Sequence, residues 1–152
     1  MRRGTDMYHE YSISTTKEDF YVITQYVREA ITTSNVRNGI AVILCPHTTA
    51  GITINENADP DVVRDMIIGL AKAYPDRPEF RHGEGNSAAH LKASAIGSSV
   101  TVIVDDGKPM LGTWQGIYFC EFDPGCLGEQ FGASRTTSPP RKRKFFVQVI
   151  EK

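Results

Sequence analysis

Three short segments of the 152-residue chain gather the side chains that can do chemistry. The first is Pro46-His47-Thr48-Thr49-Ala50-Gly51-Ile52-Thr53-Ile54-Asn55-Glu56-Asn57. It sets an imidazole and two hydroxyls ahead of an apolar stretch and an acid–amide cluster behind it. An imidazole can move a proton or ligate a metal near neutral pH. The hydroxyls of Thr48 and Thr49 can donate to phosphate oxygens, Glu56 can act as general base or metal ligand, and Asn55 can orient a substrate. The second segment is Arg81-His82-Gly83-Glu84-Gly85-Asn86-Ser87-Ala88-Ala89-His90, a glycine-punctuated loop leading into a helix start. Free backbone amides at such a start can bind an anion such as phosphate, with Asn86 and Ser87 as cap and anion contacts. The third is Gly112-Thr113-Trp114-Gln115-Gly116, a lone tryptophan in a tight bend, with Gln115 as the side chain expected to face a pocket.

Elements that position these segments are legible from periodicity and turn chemistry. Met7 to Ser14 alternates as a strand. Thr16 with Asp19 resembles a helix-capping pair, and Phe20, Ile23, Val27 and Ile31 recur at the spacing of one buried helix face. Gly39 to Cys45 and Thr49 to Asn55 read as strands with Pro46-His47-Thr48 between them, so His47 lies at a strand end, a rigid platform for a ligand site. Asp59 caps and Pro60 begins a second helix whose inner face is Val63, Met66, Ile67 and Leu70. Asp76 to Gly85 is a loop, Ser87 to Ser94 a short helix, Ser98 to Val104 and Trp114 to Phe122 strands, and Arg143 to Ile150 the closing strand. Residues 124–140, rich in Gly, Ser, Thr and Pro, read as a mobile insertion. The expectation is one α+β domain over 1–152, mostly antiparallel sheets with two main helices.

Bulk properties narrow the classes. A formal net charge of -1 gathers neither nucleic acid nor anionic lipid. No apolar run reaches the ~20 residues that cross a bilayer, and no apolar segment follows the basic start as in a signal peptide. Cys45, Cys120 and Cys126 form no Cys-x-x-Cys pair, which points to a reducing, cytoplasmic setting. The run Arg141-Lys142-Arg143-Lys144 reads as a solvated strand end without the interleaved aromatics of a nucleic-acid surface. His9, in the first strand, reads as a surface residue.

The three segments together resemble the YjbQ family. His-Thr-Thr-Ala followed by Ile-Asn-Glu-Asn-Ala-Asp-Pro over 47–60 is similar to its first hallmark. His82 with Glu-Gly-Asn and His90-Leu91-Lys92 resembles the second, and Gly112-Thr113-Trp114-Gln115-Gly116-Ile117 the third. The resemblance implies a small α+β protein, commonly a homotrimer, with a histidine-lined pocket near subunit contacts. It also implies a thiamine-phosphate synthase-like transferase, joining a pyrimidine pyrophosphate to a thiazole phosphate with release of pyrophosphate. In that reading His47, Glu56, His82 and His90 are catalytic, while Thr48, Thr49, Asn55, Asn86 and Gln115 bind substrate. One departure is the stretch between Asp123 and Pro140-Arg141, where the family passes by a short turn.

Other chemistries suit the same residues. His47, His82 and His90 can form a three-histidine zinc site with one exchangeable position, the pattern of metal-dependent hydrolases, with Glu56 accepting the proton. Magnesium suits a pyrophosphate-bearing substrate and a carboxylate. A non-catalytic phosphate or metabolite binder is the third reading. The bland alternatives are that each histidine bonds locally, that Asp59 is only a cap, and that Trp114 is a core or interface anchor.

Overall fold

In a computed structural model, residues 7–124 and 140–152 are described. The expected insertion therefore lies almost wholly outside the described residues, as does Cys126. Among the described residues eight strands and three helices follow one another: β1 Met7–Thr15, β2 Asp19–Val22, α1 Thr24–Ser34, β3 Gly39–Leu44, β4 Ala50–Glu56, α2 Pro60–Ala73, α3 Ser87–Ile96, β5 Ser99–Asp105, β6 Lys108–Pro109, β7 Gln115–Glu121 and β8 Arg141–Glu151. They form two antiparallel sheets. The larger has the order β1-β8-β3-β5-β6 and the smaller β2-β7-β4. The fold is thus α+β, as the sequence indicates.

Strand alternation decides what each face covers. Ala41, Ile43, Val102, Val104, Phe145, Val147 and Val149 point inward from the larger sheet and are buried against α1 and against Ile52, Ile117 and Phe119 of the smaller sheet. Each Val, Ile or Phe among them contributes roughly 1.5–3 kcal/mol by leaving water. The far side of the smaller sheet carries Phe20, Tyr118, Cys120 and Phe122 under α2 and α3. Gly51 sits where α3 ends on β4, and a Cβ there would stand 2.6 Å from the Gly97 carbonyl oxygen. That same carbonyl accepts the Ile52 N–H at 3.0 Å.

One expected boundary is corrected. No helix begins at Thr16; residues Asp19–Val22 are a strand paired with β7, Phe20 opposite Cys120. Phe20 packs edge-on against Tyr118 and Phe122, and the Asp19 carboxylate accepts the N–H of Phe20 at 2.8 Å. The helix starts only at Thr24, after the Ile23 N–H has bonded the Ile117 carbonyl. The helical spacing of Ile23, Val27 and Ile31 holds; Phe20 falls in step with it but belongs to a different face. Asp59 caps α2 through the Asp61 N–H with Pro60 at its start, and Tyr74 ends it. α3 runs two residues beyond its expected end and stops at Gly97, whose φ of 97° favours glycine. Trp114 precedes β7 rather than opening it and is 66% exposed, so it is no core anchor within the chain.

Candidate functional site

The register of β4 and β7 divides the candidate residues between two ends of one sheet. Ala50 pairs with Glu121 at one end and Glu56 with Gln115 at the other. Six residue steps separate them, roughly 20 Å. His47, Thr48 and Thr49 lead into the first end, while Asn55, Glu56 and Gln115 sit at the second.

The first end is built around a buried ion pair. Arg143, 1% exposed, donates from Nε to Glu121 Oε2 and from Nη2 to Glu121 Oε1, both at 2.6 Å. Arg143 Nη2 also donates to Thr49 Oγ1 at 2.9 Å, and Thr15 Oγ1 donates to Glu121 Oε2 at 2.8 Å. The Asp123 N–H donates to Glu121 Oε1 at 2.9 Å. Both charges thereby find the extra hydrogen bonds that a buried pair requires. The network joins β1 and β8 of one sheet to β4 and β7 of the other.

From Asp123 it continues outward to the second motif. Asp123 Oδ2 accepts from Arg141 Nη1 at 3.2 Å and from Asn86 Nδ2 at 2.9 Å. Asn86 Nδ2 also lies 3.4 Å from Glu84 Oε2. Two carboxylates on one side fix which way the amide faces; its Oδ1 is buried and without a hydrogen-bond partner among the described residues. Asn86 directly precedes α3, and one turn later comes His90. The His90 ring meets that of His82 edge to face, centroids 5.2 Å apart. The other flank of α3 is tied down by buried Lys92, whose Nζ donates to Glu18 Oε1 at 2.6 Å. The Ala88 N–H reaches Asp76 Oδ1 at 3.4 Å.

His47 does a different job. Its Nε2 accepts the backbone N–H of Lys144 at 2.9 Å, two residues along β8 from the last β3–β8 pair, Leu44 with Phe146. The imidazole takes the place of a strand carbonyl in the ladder and rests edge-on against Phe119. Burial, and then the nearby Arg143 guanidinium, hold its pKa below the ordinary 6.5, partly opposed by Glu121. Accepting the Lys144 N–H requires the same neutral ring.

At the second end the polar groups mostly bond their own backbone. Asn55 Oδ1 accepts the Glu56 N–H at 2.7 Å, and Gln115 Oε1 accepts the Gly112 N–H at 2.8 Å. The Glu56 carbonyl accepts from the Tyr118 hydroxyl at 2.7 Å, and the Trp114 carbonyl accepts the Asn57 N–H at 2.7 Å. Cys45 and Cys120 are free, buried thiols whose pKa values burial pushes up.

The sequence pattern described as UPF0047 protein YjbQ-like matches residues 9–152. The chain belongs to the YjbQ family. A UPF0047 protein of Methanocaldococcus jannaschii is 50% identical over 145 residues, 95% of this chain and 94% of that one. YugU of Bacillus subtilis is 56% identical over 113 residues, 73% of this chain and 86% of its own. A solved YjbQ/UPF0047 structure from Clostridium acetobutylicum, 50% identical, superposes with a TM-score of 0.80 over 93% of this chain and 99% of that one. A YbjQ-like protein of unknown function from Sulfolobus solfataricus does so at 0.81 with 25% identity, over 96% and 97%.

Two expectations fall here. The YjbQ relatives are named only as UPF0047 proteins, one structure as of unknown function, so the thiamine-phosphate synthase assignment is withdrawn. The three-histidine zinc centre, and metal-dependent hydrolysis through it, fall as well. Among the described residues no three His, Cys, Asp or Glu side chains come together to hold a metal. The physical reason is that His47 is spent on the β8 ladder, leaving His82 and His90 as a pair. Sequence reading also passed over Glu121, Asp123, Arg141 and Arg143. Their signal was present: Arg143 lies in phase with Phe145, Val147 and Val149, the inward face of the strand.

Proposed function

We propose that the first end of the smaller sheet is a small-molecule site. In it His82 and His90 bind and exchange protons with a polar ligand held by Asn86 and Arg141. The observation that carries this is the pair of touching imidazoles one turn from an amide whose orientation Asp123 and Glu84 dictate. A side chain locked by its neighbours before ligand arrives is what an acid–base site needs. A small phosphorylated molecule is the class favoured. Support comes from the half-exposed Arg141 guanidinium; at the start of α3 the Ala88 N–H already faces Asp76 Oδ1, which leaves Arg141 as the main anion contact. Glu56 and Gln115 lie at the opposite end of the sheet, and Thr49 acts through Arg143.

Calorimetry with inorganic phosphate and glycerol 3-phosphate tests the reading. Saturable binding that weakens about tenfold or more, ~1.4 kcal/mol, in His90→Ala and Arg141→Ala but not in Glu56→Gln is the expected result. Equal binding by all the variants would overturn it.

A second reading concerns assembly, the homotrimer that the family resemblance implies. The outer face of the larger sheet carries an apolar patch in which Ile40 pairs with Ile103 and Ile150 and Ile103 is 59% exposed, beside polar Thr101, Gln148 and the Lys144–Glu10 ion pair. An exposed apolar patch rimmed by polar residues suits association with further copies. Sedimentation should give a trimer that Ile103→Lys weakens; a wild-type monomer at micromolar concentration contradicts it. A cytoplasmic location is supported by the two free buried thiols, and recovery of the protein outside the cytoplasm on fractionation would refute it. No helix among the described residues is long and apolar enough to cross a membrane.

A further inference from the structure

The only tryptophan of the chain stands on a tightly bonded turn, and its side chain reaches into solvent: Trp114 is 66% exposed. The Gln115 N–H donates to the Gly112 carbonyl at 3.0 Å, and Gln115 Oε1 accepts the Gly112 N–H at 2.8 Å. The Trp114 carbonyl itself accepts the Asn57 N–H at 2.7 Å. Two residues on, a Cβ at Gly116 would stand 2.7 Å from the Asn57 Cβ, so this turn lies close against its neighbour. The backbone under the indole is therefore set before any outside contact forms. An aromatic held in this way loses little freedom on docking, and tryptophan is enriched among the residues that dominate interfaces.

A hollow that suits an indole lies on the larger sheet. Ile40, Ile103, Met110 and Ile150 line a groove of about 520 Å³, and Trp114 is not among its walls. The groove is open: Ile103 and Met110 are both more than half exposed. Asp105 and Glu151, exposed members of the same lining, add carboxylate acceptors. An indole is apolar over its rings and carries one N–H that only donates, so it matches apolar walls that also offer acceptors. Among the described residues outside the larger sheet and this groove, the next most exposed large apolar side chain is Val22, at 48%. Trp114 is both larger and further out.

We propose that Trp114 of one copy of this chain seats in the groove of Ile40, Ile103, Met110 and Ile150 on a second copy. Knob and hollow are different parts of the surface, so the contact is heterologous and repeats from copy to copy until a ring closes. A self-matching contact would stop at two copies. The proposal rests on the reading of the larger sheet as an assembly surface and names the side chain that fills it. It is independent of the histidine end.

One tryptophan per chain makes the test direct, because all indole fluorescence comes from Trp114. At a concentration where sedimentation shows association, wild-type protein should emit at shorter wavelength than Ile103→Lys and be quenched several-fold less by acrylamide. Trp114→Ala should weaken association about tenfold or more, while Ile68→Lys, an exposed position of α2, should leave it unchanged. In a mixture of isotope-labelled and unlabelled copies, filtered NOEs should join the indole protons of one copy to the Ile103 and Ile150 methyls of another. A wild-type assembly whose tryptophan is quenched as readily as that of Ile103→Lys overturns the proposal and leaves the assembly reading standing. An assembly without NOEs between the indole and those methyls does the same. A wild type that stays monomeric at micromolar concentration overturns both.

Discussion

The two ends of the β4–β7 pair are rich in polar side chains, yet they use them in opposite ways. At the Ala50–Glu121 end, side chains from both sheets and from the loop before α3 bond to one another across long stretches of sequence. At the Glu56–Gln115 end, Asn55 Oδ1 and Gln115 Oε1 fold back on amides within three residues of themselves. The longer-range bonds there, Asn55 Nδ2 to Met66 Sδ and the Tyr118 hydroxyl to Glu56 and Asn57, join no second ionised group. Cross-element bonding fixes side chains against a rigid frame, whereas local bonding mainly shapes a turn. Only the first kind sets two imidazoles beside an oriented amide before any ligand is present. A cluster of chemically capable residues in sequence therefore marks a site only when tertiary contacts hold it in place.

The sharpest way to break the contrast is to remove Arg143. Arg143→Met strands Glu121 in the interior and should cost about 3–5 kcal/mol, measured by urea unfolding. Arg143→Met with Glu121→Leu should recover most of that loss. Next comes Asp123→Ala, which frees both Asn86 and Arg141. It should cost about 1–3 kcal/mol and speed amide exchange at the start of α3, while protection at α2 stays unchanged.

His47 gives a smaller, pH-dependent effect. Its folded pKa lies below the ordinary 6.5, so below that pH the unfolded chain binds more protons than the native one. Stability then falls as pH drops from about 6.5 toward the folded value. His47→Gln, which keeps an acceptor for the Lys144 N–H and does not titrate, should lose less stability between pH 7 and pH 5 than wild type. Least is expected at the far end: Glu56→Gln should change stability by less than about 0.5 kcal/mol, since its recorded bonds run through its backbone. A loss above 2 kcal/mol there would erase the distinction between the ends.

Much of this architecture is legible in the sequence, for definite reasons. Alternation revealed β1, a short β-branched apolar run revealed β3, and Asp59-Pro60 announced α2, because strand composition and capping chemistry are local. Phe20 misled because a residue three before Ile23 suits a helical stripe as well as a strand face, and only pairing with Cys120 decides between them. The division of His47 from His82 and His90 depends on where β8 passes β3, a contact spanning 97 residues. Arg143 was hidden by its neighbours: Arg141, Lys142 and Lys144 give the look of a solvated run, and the inward phase of one member shows only against Phe145, Val147 and Val149. Glu121 could be recognised as its partner only once β7 and β8 had been placed in different sheets.

The most direct test of the site is imidazole NMR of the wild-type protein during titration with glycerol 3-phosphate. The account predicts that His82 and His90 shift together with one saturation curve, while His47 stays in its neutral form and unmoved. A ligand-dependent shift at His47 with His82 and His90 unchanged would contradict it.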